Sequence, residues 1–496
     1  MRKITLIASL LLGGCINLAP EHQAPDLPTA AEYDAAYRPE TGGPLASEIA
    51  WRDFFGDERL EALIAAALDN NRDLVQATGR IAEARAAFRV QRAERLPEVG
   101  ASGSAIRSRT PIGSSALGAV TTNQGEDADD GETVDAPAAV TVTNYDLSVG
   151  VSSFELDFWG RVRNLSDAAL ARYLSTVAAE RAFRLSLVGD VASAYFTLLE
   201  ADERISLAEA TLESRQEELR IARLRLESGI TSALDFRQAD ALVTQAQTEL
   251  SALQLSRAET RNLLAVLVGG PVAGDLPPGH SLEEQDLVTT IDAGMPSTLL
   301  LARPDVIAAE YDLQAARFDI GAARAAFFPT ISLTGTAGFA STELDNLVGD
   351  DGFSWRFGPS IDLPLFDWGR REANLDVAEA RELIQVAAYE RAIQTAFREV
   401  SDALARRRWL AEQVEAQERN VAALDAISRL ARLRYREGAA RYLEVLDAER
   451  NLFAARQNLI VIERQLAEAH VALYVALGGG GGFSVPAPPA ATAEGS

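Results

Sequence analysis

The sequence predicts an α+β membrane protein with an internal duplication, in which long α-helical coiled coils form a helical barrel and four strands per chain enter a β-barrel shared between copies. Three observations carry this reading. The first is a repeat: Gly229, Leu234, Asp235, Ala239, Asp240, Leu264 and Gly269 match Gly438, Leu443, Glu444, Ala448, Glu449, Leu473 and Gly478 at one offset of 209 residues. The same offset pairs Trp159-Gly160-Arg161 with Trp368-Gly369-Arg370, and an offset of 232 pairs Arg85, Arg92 and Pro97 with Arg317, Arg324 and Pro329. So long a period marks a duplicated domain, not a solenoid array. The second is four stretches of period-two alternation, the mark of strands with two unlike faces. The third is a pair of helical patterns, Arg161 to Glu227 and Arg370 to Glu437, nearly free of proline, each about 100 Å long at the α-helical rise.

In chain order, Met1-Arg2-Lys3 and the apolar run Ile4 to Leu12 read as a signal peptide over residues 1–14, too short to span a bilayer as a mature helix. Leu12-Gly13-Gly14-Cys15 resembles a bacterial lipobox, so cleavage before Cys15 and acylation of this lone cysteine are expected. Ordinary cleavage leaving a stray thiol is the alternative. Ile16 is not the aspartate that commonly retains lipoproteins in the inner membrane, which favours the outer one. Residues 15–56, rich in Pro, Ala and Glu, read as a lipid-anchored tether. The first repeat then spans 57–268, a Gly/Pro-broken linker 269–296, the second repeat 297–477 and a disordered tail 478–496.

The formal charge is -25, and loss of Arg2 and Lys3 with the signal takes it to -27, which argues against nucleic acid as a partner. No apolar run beyond Leu12 approaches a spanning helix, so a membrane would be crossed by strands. Ile331, Leu333, Gly335, Ala337 and Phe339 share one face opposite Thr330, Ser332, Thr334 and Thr336; Trp355, Phe357, Pro359, Ile361 and Leu363 oppose Ser354, Arg356, Gly358, Ser360 and Asp362. Tyr145, Leu147, Val149 and Val151 alternate likewise, and Pro97 to Ile106 more weakly. The polar faces are small and almost uncharged, as a lumen wall would be, and Phe353, Trp355 and Phe357 cluster as in an interfacial girdle. A half-buried soluble sheet would show the same apolar face. Pro359 cannot donate to a ladder and belongs at an edge. The acidic run Gln124 to Glu132 reads as a solvated surface loop.

Toward the C-terminus, Val445, Leu452, Leu459, Leu466 and Leu473 recur every seventh residue, and so do Leu446, Phe453, Ile460, Ala467 and Tyr474. Two adjacent heptad seams mean two helical neighbours in a left-handed supercoil. Four strands cannot close a membrane barrel, for which about eight is the minimum, so copies must pool their strands. An enzyme is not expected: His22, His280 and His470 are the only histidines, and no catalytic or phosphate-binding motif is present. No metal site and no cofactor beyond the lipid on Cys15 is expected. A structural coiled-coil lipoprotein bridging the envelope is a second rival, which would need no strands.

Trp51-Arg52-Asp53-Phe54-Phe55, Asn71-Arg72-Asp73-Leu74, Arg303-Pro304-Asp305-Val306, Phe328-Pro329-Thr330-Ile331 and Leu363-Pro364-Leu365-Phe366-Asp367-Trp368-Gly369-Arg370 occur in an order and spacing that resembles the TolC-like outer-membrane efflux lipoproteins of the NodT type. The resemblance implies a homotrimer with a twelve-stranded barrel and an α-helical periplasmic tube, seated in outer-membrane lipid. It implies a periplasmic adaptor (membrane fusion protein) and an inner-membrane pump of the resistance-nodulation-division type as partners. The function implied is passive export of drugs or other small molecules; protein secretion of type I and metal-ion efflux are alternatives. Ser228-Gly229-Ile230 and Glu437-Gly438-Ala439 would be the periplasmic tips, with Leu226, Gly229, Ile230, Tyr435 and Gly438 meeting the adaptor. Glu444 and Asp447 match the acidic positions that ring the closed pore, Asp235 matches a linking acidic residue, and Arg441 stands next to Ala440, where some relatives have a linking arginine. Without a pore, Glu444 and Asp447 would be an acidic helix start favoured by the local dipole, and the tips plain hairpin turns.

Overall fold

In a computed structural model the described residues are 17–21, 28–30, 32–34, 36–37, 43–111, 139–230, 232–272, 274, 276–285, 287–292 and 303–480. The signal peptide, Cys15, the acidic run and residues 481–496 lie outside them. The elements are α1 (Trp51–Phe54), α2 (Glu58–Asn70), α3 (Arg72–Ala93), β1 (Val99–Pro111), β2 (Ala139–Glu155), α4 (Arg161–Glu227), α5 (Ala233–Val268), α6 (Pro304–Ala325), β3 (Thr330–Ser341), β4 (Phe353–Asp362), α7 (Arg370–Arg436) and α8 (Tyr442–Ala476), with two short 3-10 turns. The chain forms two compact units, and both repeats contribute to each: one holds Arg85–Leu170 and Gln314–Leu383, the other Gln23–Ala84, Ala171–Leu313 and Ile384–Ser496.

The first unit carries a four-stranded antiparallel sheet in the order β1-β2-β3-β4. Its register places like with like: Ser102 opposes Ser148 and Ser332 opposes Ser360, and the hydroxyls of each pair hydrogen-bond at 3.1 and 2.8 Å. Trp355, Phe357 and Ile361 stand on the other face of β4 and are exposed, as is all of β1. Pro359 lies on β4, an edge strand, where a missing N–H is tolerated. A bulge between Val151 and Phe154, with Ser153 at φ 57°, interrupts β2.

The second unit is helical, with one large core. The segment Trp51-Arg52-Asp53-Phe54-Phe55 buries Trp51, Phe54 and Phe55, and the Phe54 ring stacks on Tyr474 at 4.2 Å. Asp57 caps α2, accepting from the N–H of Arg59 (2.8 Å) and Leu60 (3.2 Å), and it also accepts from Tyr195 Oη (2.8 Å), the N–H of His280 (2.9 Å) and Gln285 Nε2 (3.0 Å). These bonds fasten the linker between the repeats to the core. The duplication recurs as geometry: Asn71 Nδ2 donates to Leu267 O at 2.8 Å, and Arg303 Nη1 donates to Ala476 O at 2.9 Å, positions related by the two sequence offsets.

Three expectations differ from what is observed. The tether is not free in its second half: Tyr33, Ala46 and Ile49 are buried, Tyr33 stacks on Phe397 at 5.3 Å, and Leu45 and Phe55 bridge to Asp292 and Leu287 of the linker. Its few apolar side chains suffice to dock it. Gly478 to Gly480, expected to begin a disordered tail, are buried, and the Gly480 N–H donates to Ile49 O at 3.3 Å. One stretch of α4 is apolar and long enough by composition to cross a membrane, and 44% of it is buried within the protein.

Candidate functional site

The two hairpin ends of the helical unit are built alike. In the first, Gly229 (φ 69°) donates to Leu226 O at 3.0 Å and Ile230 to Arg225 O at 2.8 Å; in the second, Gly438 (φ 75°) donates to Tyr435 O at 3.1 Å and Ala439 to Arg434 O at 2.8 Å. Both are Schellman caps, which need a residue in the left-handed region, and glycine enters it without a Cβ clash. Ser232 then caps α5 by accepting from the Asp235 N–H at 3.3 Å, whereas Arg441 occupies the cap position of α8 without a side-chain cap bond.

Of the expected docking residues, Gly229, Ile230 and Gly438 are exposed and Leu226 is half-buried. Tyr435 is committed within the chain: its hydroxyl accepts from Arg225 Nη1 at 2.5 Å, its ring lies under that guanidinium, and it packs on Tyr442 at 5.2 Å. The sequence reading passed over Leu224 and Leu433, and did not use Leu234 and Leu443 as surface. All four are exposed apolar residues at the hairpin ends, and they form two pairs at the 209-residue offset, which was the signal available.

Of the expected gate residues, Glu444 pairs with Arg434 at 3.2 Å and Asp447 with Arg450 at 2.9 Å, both half-exposed ion pairs within one hairpin. Arg441 is exposed. Asp235 lies instead on the wall of a cavity of about 720 Å³ between the two hairpins, shared with Glu218, Arg225, Arg432, Tyr435 and Tyr442. The structure thus brings Asp235 and Tyr435 together, and sets Glu444 and Asp447 apart on α8.

A carboxylate pair that sequence reading missed lies beside this cavity. Glu218 of α4 and Glu449 of α8 share a hydrogen bond, with Tyr442 Oη donating to Glu218 at 3.3 Å and Arg432 paired to Glu449 at 2.5 Å. Burial first, and then the Glu449 charge, push the Glu218 carboxyl up to about 7. No signal in one sequence joins residues this far apart. His470 on the heptad seam is half-buried, with Nδ1 at 2.9 Å from Leu466 O, and burial pushes its pKa down.

This arrangement of edge strands and paired helical hairpins has known counterparts. The protein matches solved structures over nearly its whole length: the open state of the Neisseria gonorrhoeae MtrE outer membrane channel (36% identity, TM-score 0.83, 94% of this chain and 98% of that one) and CusC (36%, TM-score 0.81, 94% and 100%). Among characterised sequences it is 41% identical to the antibiotic efflux pump outer membrane protein ArpC of Pseudomonas putida, over 96% of this chain and 94% of that one. It is 38% identical to the cation efflux system protein CusC of Escherichia coli strain K12, over 95% and 98%. The family model described as "Outer membrane efflux protein" matches in two segments, residues 63–270 and 295–479. Two tandem matches are what the internal duplication requires, and with them the chain belongs to the outer membrane efflux protein family.

Proposed function

We propose that this chain is the outer-membrane channel of a tripartite efflux pump, a passive homotrimeric conduit that an inner-membrane pump of the resistance-nodulation-division type and a periplasmic adaptor engage at the helical tips. The observation that carries the reading is a four-stranded sheet with an exposed aromatic face and two unpaired edges, joined in one chain to paired helical hairpins. A sheet of this kind completes itself only with other copies. The cargo is small molecules; relatives named for antibiotic, solvent and cation efflux stand at 41, 40 and 38% identity, so overall similarity does not single out one class. Cys15 carries the lipid anchor in this reading.

Glu444, Asp447, Asp235 and Arg441 form the periplasmic gate in this reading, with Leu226, Gly229, Ile230 and Gly438 at the adaptor contact and Tyr435 bracing the hairpins behind it. Supporting it, Glu444 lies on the first turn of α8 with Asp447 one turn further on, both half-exposed, and they hold only half-exposed arginines, pairs worth about 1 kcal/mol or less that yield readily. Planar-bilayer recordings of the purified protein test the proposal. Low resting conductance with cation preference is expected, and the Glu444→Ala, Asp447→Ala double variant should conduct more and lose that preference. Unchanged conductance and selectivity in the double variant would remove these residues from the gate; no channel activity under any condition would remove the function.

A further inference from the structure

The register of the sheet sorts its side chains onto two faces, and the aromatic face carries charge at one place only. From Trp355 and Phe357 on β4 this face continues through Phe339 on β3 and Tyr145 on β2 to Ala105 on β1. Beyond Ala105 the same face of β1 presents Arg107 and then Arg109, opposite Thr143 and Thr141 of β2. Among the described strand residues these are the only charged ones on it, since Asp146, Glu155, Arg356 and Asp362 fall on the polar face. Both arginines are exposed. With no carboxylate beside them, two like charges about 7 Å apart on one strand repel each other, and an anion between them would relieve that cost.

The strand ends tell which side of the membrane this is. Each strand meets a helix at one end, and at the other the strands are joined by residues 112–138 and 342–352. With the helices in the periplasm, the joined ends point outward, and the two arginines stand about 7 and 14 Å beyond Ala105 toward the outside. Rings first and cations beyond them is the order of layers at a membrane surface, where aromatic side chains mark the interface and charge lies among the headgroups. Strand pairing does not call for these charges. At the 232-residue offset the equivalents of Arg107 and Arg109 are Phe339 and Ser341, and β3 is paired at both.

We propose that Arg107 and Arg109, with the hydroxyls of Thr143 and Thr141 beside them, bind phosphate groups of the phosphorylated glycolipid that forms the outer leaflet of an outer membrane. Guanidinium forks match phosphate oxygens two at a time, and the threonine side chains start about 5 Å away across the ladder, near enough to donate to the remaining oxygens. The acyl chains of the same lipid then lie along the apolar face below Tyr145. A phospholipid of the inner leaflet does not reach the outward end, and a free phosphate has no chains for the rings. The site stands apart from the gate and the tips, and needs only that the sheet lies in the outer membrane.

The test is lipid retention by the full-length channel extracted from outer membranes, followed by native mass spectrometry during titration with bis-phosphorylated lipid A, with lipid A stripped of its phosphates, and with inorganic phosphate. The native chain should hold the phosphorylated lipid in preference to both others. The Arg107→Gln, Arg109→Gln double variant should hold it on the order of tenfold more weakly. Arg107→Lys with Arg109→Lys should recover most of that loss, because the charge remains, and Arg356→Gln on the opposite face should change nothing. Equal retention of the two lipids by the native chain, or undiminished retention by the Gln double variant, would overturn the site and leave the acidic run Gln124 to Glu132 as the counter-charge of these arginines. Inorganic phosphate bound as tightly as the lipid would overturn the assignment to a lipid. Should the Gln double variant fail to fold, the Lys variant decides: it must still prefer the phosphorylated lipid, and equal retention of both lipids would sink the proposal.

Discussion

At the residue scale, Asp57 fastens three parts of the chain to one carboxylate. Burial alone would push its pKa up, but the hydrogen bonds from Gln285, His280, Tyr195 and Leu60 outweigh burial and hold it below the ordinary carboxylate value. A folded-state pKa that is depressed contributes stability that is present above the ordinary value and is lost as pH falls through the depressed one. Asp57→Ala should cost about 2–4 kcal/mol, because a buried hydroxyl and several N–H groups lose their acceptor. A lowered thermal unfolding midpoint and a flatter acid limb of the stability profile are expected; a midpoint unchanged from the native chain would refute the role. The sequence marks Asp57 as a helix start, but Tyr195, His280 and Gln285 are up to 228 positions away, and no local pattern announces them. Gly229 and Gly438 were legible for the opposite reason, since the cap they make is local and occurs twice.

At the element scale, the hairpins are joined by Arg225 to Tyr435 and by the Glu218–Glu449 pair. The groups facing that pair are Arg215 from α4, Asp235 across the cavity from α5, Arg432 with the cavity-lining Arg429 and Arg436 from α7, and Tyr442 from α8. The Glu218 carboxyl is raised, so the folded arrangement binds a proton that the separated one releases. The contact is then at full strength below the ordinary carboxylate value and weakens as pH rises toward about 7, beyond which the loss is complete. Protection against hydrogen exchange at the hairpin ends, corrected for the intrinsic pH dependence of amide exchange, should therefore fall as pH rises toward about 7, by at most about tenfold per pH unit, the limit for one proton. Glu218→Gln should flatten that dependence. A Gln variant that keeps the full pH response would place the titrating group elsewhere. Helix ends and strand alternation were readable because periodicity is a property of each segment; this clasp was not, because it forms where two segments meet.

At the scale of the whole molecule, the compact units are not the repeats. Each repeat divides its length between the sheet unit and the helical unit, and the duplication survives as paired contacts within them. Asn71 and Arg303 hold equivalent carbonyls, but Arg303 also pairs with Asp305 at 2.7 Å and Glu399 at 2.8 Å. Arg303→Ala should thus destabilise more than Asn71→Ala, by about 2 against about 1 kcal/mol, since the charged site loses several charge-assisted bonds. Equal losses in thermal unfolding would show that the ion pairs add nothing.

The sequence by itself determined the duplication, the strand faces, the long helices and the hairpin caps, because repeat offsets, alternation and glycine placement are written locally along the chain. Tertiary structure decided where buried charge and long-range contact reside: the docking of the tether and of Gly478 to Gly480, the commitment of Tyr435 to Arg225, and the meeting of Glu218 with Glu449. It also decided that Trp159 is packed while Trp368 is open, a difference between two identical Trp-Gly-Arg motifs. Packing partners are set by which surfaces the fold brings within a few ångströms, and a one-dimensional pattern carries no record of that distance.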